Sequence, residues 1–211
     1  MSVRALIIDE LCNNYINKHP NSIIVHLGCG LDSRCLRVNQ NYAKWYDIDF
    51  ESVIKLRNQF YRQNKKYKMI GCSVMDYKWL NEIETNDNIL IVAEGLLMYL
   101  SEEEVRKLIH QIENKFQEVH LLFDSYSKKG VKASKIKNPV NQMNAKVKFG
   151  IDNPEDLLKF NEKLVYIDTH IIKRKANNLP ILTKFIFNNI YCGRLSQSIY
   201  KIYEFKIKNN E

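Results

Sequence analysis

Residues 22–34, SIIVHLGCGLDSR, decide the fold. The segment SIIVHL (22–27) is short, β-branched and apolar without alternation, the pattern of a strand buried on both faces. It runs into Gly28-Cys29-Gly30, where two glycines let backbone N–H groups approach a ligand closely. A full dinucleotide fingerprint would place a third glycine at position 33, where Ser33 stands. That departure disfavours a pyrophosphate seated on the following helix, as NAD requires. Taken alone, the turn is equally compatible with a plain tight strand-to-helix connection.

Outward from this turn, four similar segments follow: KWYDI (44–48), YKMIGC (67–72), NILIVA (88–93) and VHLLF (119–123). Helix-like stretches separate most of them, including 50–63 and 101–116. The second opens SEEE, so Ser101 can cap it and Glu104 can close a capping box. Its Val105, Leu108, Ile109 and Ile112 share one helical face. Beyond residue 150 the pattern predicts a helix over 154–161, a strand over 164–172 and an apolar helix near 179–190. YKIYEFKI (200–207) then alternates like a strand. Doubly apolar strands alternating with helices imply a parallel sheet covered on both sides, and right-handed crossovers wind it doubly. The expected fold class is α/β, a Rossmann-like doubly wound, mostly parallel sheet of about seven strands with an antiparallel edge.

Composition agrees with one globular unit. The 211 residues, 45% hydrophobic and 27% charged, can bury a core without staples, and a single domain is expected over 1–211, with a substrate-side insertion around 127–150. No apolar run is long enough to span a bilayer, and MSVRALIIDELCNN reads as neither a signal nor a transit peptide. Cys12, Cys29, Cys35, Cys72 and Cys192 show no zinc spacing, and their odd number points to reduced thiols and a cytoplasmic location. His19, His26, His110, His120 and His170 show no metal-ligand spacing, so no metal is expected. The net charge of +8 concentrates in Lys128, Lys129, Lys132, Lys135, Lys137, Lys146 and Lys148. That stretch is either a solvated face or an anion-binding surface.

The candidate chemistry lies where strands end, because strand carboxyl ends line the ligand crevice of a doubly wound sheet. Asp49 closes the second strand in WYDIDF, about 20 residues past the glycines, where a carboxylate can accept both ribose hydroxyls of an adenosine. Asp47 shares its strand face and is assigned a supporting role; either carboxylate could instead cap the helix that begins near Phe50. Asp76 and Tyr77, after the third strand, can approach an adenine. Glu94 and Gly95, after the fourth, border the place where a reacting sulfonium would sit. Cys29 is expected to be a packed residue rather than a nucleophile, since nothing basic flanks it.

The ordered set LGCGLDSR (27–34), WYDIDF (45–50), CSVMDYKW (72–79) and AEGLLMYLSEEEV (93–105) resembles the leucine carboxyl methyltransferase superfamily, closest to its tetracenomycin-polyketide-type O-methyltransferase branch. The opening VRALIID (3–9) resembles that family's upstream arginine–aspartate element, and KFGIDNPEDLLKF (148–160) its late segment. The resemblance implies S-adenosylmethionine as cofactor. It implies that Arg4 pairs with the cofactor's methionine carboxylate, that Gly28 and Gly30 approach its backbone, and that Asp49 holds the ribose. Ser73, Val74 and Asp76 stand at the family's adenine-side positions, with Ser73 in place of a carboxylate, and Glu94 lies beside the methionine moiety. Arg34 and Arg37 match family positions and are read as bracing the loop against Asp32, Asp47 or Asp49. Family members carry a helical segment ahead of the arginine element that helps close the acceptor pocket. This sequence starts almost at that element, so the acceptor side is expected to be the less complete half.

The implied function is O-methylation of a small molecule through a carboxylate or hydroxyl. Tyr99, Asp124 and Tyr126 are the acceptor-side candidates, and no residue stands out as catalytic. No membrane partner is expected, nucleic acid is disfavoured, and a homo-oligomer is left open. Two alternatives stand: an RNA methyltransferase using the lysine-rich 128–148 segment, which lacks interleaved aromatics, or a degenerate cofactor-binding module without activity.

Overall fold

The strand β1 (Ile23–Leu27) is buried at every residue, as a central strand with both faces covered must be. The computed structural model describes residues 3–85, 88–134, 146–171 and 199–208. Around β1 lie β2 (Lys44–Asp49), β3 (Tyr67–Gly71), β4 (Ile89–Ala93), β5 (Glu118–Tyr126), β6 (Leu164–Ile171) and β7 (Tyr200–Lys208). They form one sheet in the order β3-β2-β1-β4-β5-β7-β6. The pairs β1·β2, β1·β4, β2·β3 and β4·β5 are parallel, while β7 runs antiparallel to both β5 and β6. The doubly wound sheet with an antiparallel edge is therefore as expected, with β7 as the reversed strand.

The helices are α1 (Val3–Lys18), α2 (Arg34–Arg37), α3 (Glu51–Arg57), α4 (Trp79–Glu82), α5 (Glu102–Lys115), α6 (Lys128–Ser134) and α7 (Glu155–Leu158). Two expected helices are shorter than their patterns. Instead of reaching 63, α3 ends where the buried Arg57 turns inward, and instead of filling 154–161, α7 is one turn that tightens through Phe160 N–H to Leu157 O at 2.8 Å. The helix expected near 179–190 lies outside the described residues, as do Lys135, Lys137 and Cys192.

Side-chain alternation divides the core between the two faces of the sheet. Ile23, Val25 and Leu27 pack with Trp79 and with Val105, Leu108, Ile109 and Ile112 of α5. Ile24 faces the other way, with Leu90, Val92, Leu122 and Ile202, against Ile8, Cys12 and Ile16 of α1. On α5 the capping box is present: Glu104 N–H donates to Ser101 Oγ at 3.2 Å and Ser101 N–H to Glu104 Oε2 at 2.6 Å.

Asp47 is a structural carboxylate. It has no exposed surface and accepts from Trp45 Nε1 at 2.7 Å, from the Tyr67 hydroxyl at 2.6 Å and from Arg57 Nη2. Burial alone would raise its pKa, yet His26, Arg57 and Tyr67 together hold the carboxyl below its ordinary value. A carboxyl that ionises more readily folded than unfolded contributes its full stability above the ordinary carboxylate pKa and loses it as pH falls. Asp47→Ala is expected to cost about 3–5 kcal/mol in urea unfolding at neutral pH, because Arg57 is left buried and unpaired, and measurably less below pH ~3. Ser101→Ala should cost about 1 kcal/mol in the same assay, with no dependence on Asp47.

Candidate functional site

The strand order reverses direction between β1 and β4, which opens a crevice outside their carboxyl ends. Two of the glycines lie here. Gly28 has φ +64° and a Cβ there would meet Leu96 Cδ1 at 3.1 Å, so a side chain would be strained in conformation and would have to displace Leu96. Gly30, at φ +52°, faces open space, with nothing within 4 Å of a Cβ position. Cys29 between them is buried, and burial pushes its thiol pKa up, as suits a packed residue.

Asp49 stands at the end of β2 beside this opening. Its Oδ2 accepts from Gly30 N–H and its Oδ1 from Phe50 N–H, each at 2.7 Å. A carboxylate offers about four acceptor directions, so two remain for a ligand. The helix-cap alternative fails for both aspartates: Phe50 is the N-cap of α3, without a side-chain cap, and Asp47 is turned into the core. Phe50 itself is 61% exposed next to Asp49. It was not among the sequence candidates, and its only signal was an aromatic residue directly after the ribose-type carboxylate.

After β3 the candidates separate. Ser73 Oγ accepts from Met75 N–H at 3.2 Å, and Val74 is core, its carbonyl taking the Trp79 indole N–H at 3.0 Å. Asp76 is exposed and faces Lys78 Nζ at 3.6 Å. The Tyr77 hydroxyl is buried without a partner among the described residues, and Tyr77 lines a cavity of about 440 Å³ between α4 and α5.

At the ends of β4 and β5 the charged residues converge. Arg4, in the first turn of α1, donates from Nε to Glu94 Oε1 at 2.5 Å and from Nη1 to the Tyr200 hydroxyl at 2.7 Å, with Asp124 Oδ2 at 3.1 Å from Nη1. Asp124 is fully buried, accepts from Gly95 N–H at 2.6 Å and takes the Tyr200 O–H. Glu94 also pairs with Arg34, which has no exposed surface and further meets Asp9 at 2.7 Å and Asp32 at 3.3 Å. Arg37 meets Asp9 at 2.7 Å and Asp32 at 2.5 Å. The bracing role of Arg34 and Arg37 therefore runs through Asp32, Asp9 and Glu94. Asp47 and Asp49, also considered as partners, are held by other groups.

Strand alternation explains the gathering. Leu90, Val92, Leu122 and Ile202 pack toward α1, and residues an even number of positions away fall on the same face. Glu94, Asp124 and Tyr200 each continue that parity to the end of the strand. Burial pushes the Asp124 carboxyl up and Glu94 adds to the rise, against Arg4, Tyr200 and Gly95 N–H. Burial likewise pushes the Tyr200 phenol well above its ordinary value, with Asp124 adding to it, so the hydroxyl stays a proton donor. Burial opposes the charge of Arg4, but Tyr200, Asp124 and Glu94 raise its pKa further.

Beside this cluster, Tyr99, Tyr126 and Tyr200 pack on Met98, Val131 and Val147, with the Tyr126 and Tyr200 rings 4.7 Å apart. Lys128, Lys129, Lys132, Lys146 and Lys148 are exposed nearby in the chain, and Lys128 is already paired with Asp156 at 2.6 Å. Among the described residues, no group of three or more His, Cys, Asp or Glu side chains could hold a metal ion, and no helix is long and apolar enough to cross a membrane.

The tetracenomycin polyketide synthesis O-methyltransferase TcmP of Streptomyces glaucescens is 31% identical over 176 residues, covering 80% of this chain and 65% of that protein. An S-adenosyl-L-methionine-dependent methyltransferase of Gibberella zeae, dpfgK, is 33% identical over 127 residues, 56% of this chain and 43% of that one. The chain thus spans less than two thirds of the length of these curated relatives. In fold it is similar to the crystal structure of an S-adenosylmethionine-dependent methyltransferase from Anabaena variabilis, with a TM-score of 0.64 at 10% identity over 100% of this chain and 86% of the other. The family model for leucine carboxyl methyltransferase matches residues 1–113, which take in Arg4, Glu94 and most of α5. On this match the chain belongs to the leucine carboxyl methyltransferase family, built on a Rossmann-like sheet.

Proposed function

We propose that the chain is an S-adenosylmethionine-dependent O-methyltransferase acting on a small molecule through a carboxylate or hydroxyl. The observation that carries this reading is the meeting of Arg4, Glu94 and Asp124 at the same strand ends as Gly28, Gly30 and Asp49. The residues fit the cofactor chemically. Asp49 keeps two acceptor directions for ribose hydroxyls, Gly30 opens onto free space, and no described residue accepts from Arg4 Nη2. When bound, the cofactor supplies an electrophilic methyl group on a sulfonium.

The chain's own work is then positional. Asp49 would orient the ribose, Arg4 the methionine carboxylate, and Glu94 would lie beside the methionine moiety. Aligning the acceptor with the methyl carbon and excluding water can supply on the order of 7–11 kcal/mol. The aromatic surface of Tyr99 and Tyr126 is the acceptor side in this reading, bordered by Val131 and Val147. A carboxylate acceptor is already ionised at neutral pH, whereas a phenol with pKa near ~10 benefits from a base. The carboxylates of the cluster, Glu94 and Asp124, are committed to arginines and to Tyr200, which favours the carboxylate acceptor.

Calorimetry is expected to show binding of S-adenosylmethionine and S-adenosylhomocysteine and none of NAD; the reverse pattern sinks the proposal. Asp49→Ala should weaken S-adenosylhomocysteine by about 1.5–3 kcal/mol, the worth of hydrogen bonds to a charged group. Arg4→Ala should weaken it by about tenfold or more while leaving adenosine, which lacks the carboxylate, nearly unchanged, and Arg4→Lys should restore only part because the planar fork is lost.

A further inference from the structure

Tyr200 opens β7, 196 residues from Arg4, yet its hydroxyl sits between Arg4 and Asp124. Among the described residues, Arg4 is gripped through Nε, by Glu94, and Nη1, by Tyr200 and Asp124. The remaining edge, Nη2, lies 3.6 Å from the position a Cβ on Gly95 would take. Gly95 has φ +66°, and its N–H is tied to Asp124 Oδ1 at 2.6 Å, so this bare backbone is fixed beneath the guanidinium.

The geometry contains a latent competitor. Asp124 is buried, close to Arg4, and a carboxylate facing a guanidinium favours two parallel hydrogen bonds with it. Those two bonds would consume both Nη groups of Arg4. The Tyr200 hydroxyl prevents this by donating to Asp124 Oδ2 while Gly95 N–H occupies Oδ1. It simultaneously accepts from Arg4 Nη1, which fixes the rotation of the guanidinium about its stem.

We propose that Tyr200 is a positioning residue that holds Arg4 to a single contact with Asp124, through Nη1, and presents the Nη2 edge to the carboxylate of an amino-acid-bearing nucleoside ligand. The proposal rests on the methyltransferase reading above, and deepens it by assigning the selectivity for the ligand's amino-acid end to a residue of the last strand. Phenylalanine keeps the ring that packs 4.7 Å from Tyr126 and removes only the hydroxyl.

The test compares two ligands on the full chain by calorimetry: S-adenosylhomocysteine, which has the carboxylate, and 5′-methylthioadenosine, which lacks the amino-acid end. Tyr200→Phe is expected to weaken the first by about tenfold and to leave the second within about twofold of wild type. Unchanged binding of the second ligand reports an intact fold and nucleoside site, which a general loss of packing would not leave. Equal weakening of both ligands, or no weakening of either, overturns the proposal. A wild-type chain that binds neither ligand overturns the cofactor reading itself, and so separates the two failures.

Discussion

The Arg34 guanidinium has no exposed surface, and a buried cation must be matched on all its donors or unfold its surroundings. Its partners come from separate parts of the chain: Asp9 on α1, Asp32 in the loop after β1, Glu94 after β4 and His26 within β1. Satisfying this one group therefore fixes the relation of α1 to the glycine turn and to the end of β4. Arg37 reinforces the same geometry by bridging Asp9 and Asp32. Packing of Ile8, Cys12 and Ile16 supplies apolar burial beneath α1, but apolar contacts are non-directional. The charged contacts set the register of the helix, and that register places Arg4 over the crevice.

The antiparallel strand β7 does the corresponding work from the other end of the chain. It pairs with β5 so that Tyr126 stands opposite Tyr200 and Asp124 opposite Ile202. A slip of one residue would invert every side chain, sending Phe205 and Ile207 from the α5 side of the sheet to the α1 side. The register is thus enforced by core residues far from the crevice, and Tyr200 inherits its place from them. The stacked Phe123, Tyr203 and Phe205 rings, with centroids of the first two 5.8 Å apart, strengthen that enforcement.

Much of this was legible in the sequence, and the parts that were not share a cause. The central strands, the glycine turn and the capping box of α5 are written in local patterns, so they could be read directly. The long α1 could not: its buried positions include Asp9, Cys12 and Tyr15 among the aliphatics, which blurs the helical stripe. The candidate residues Arg4, Asp49, Glu94 and Asp124 could be named, but their partners could not, because the contacts join residues 19, 90 and 196 positions apart. Tyr200 went unnoticed for that reason, since nothing near it in sequence hints at an arginine. Asp47 and Asp49 share a strand face, and the sequence assigned the ribose to Asp49 without showing what holds Asp47. What separates them is depth along the strand, together with Arg57 and Tyr67 reaching Asp47 from α3 and β3.

That separation by depth applies to the arginines as well. Arg34 spends its donors on Asp9, His26, Glu94 and Asp32 and has no contact with solvent. Arg4 shares Glu94 with it, yet its side chain is 35% exposed and one nitrogen lacks a described acceptor. The same carboxylate therefore joins a closed half of the network to an open half. The closed half resists rearrangement, because losing one partner would strand a charge without water to replace it. The open half can take up an anion without disturbing that arrangement, since its free edge costs little while solvent reaches it. Rigidity in one arginine and unused hydrogen-bonding capacity in the other are what a recognition site requires together, and here a single glutamate links them.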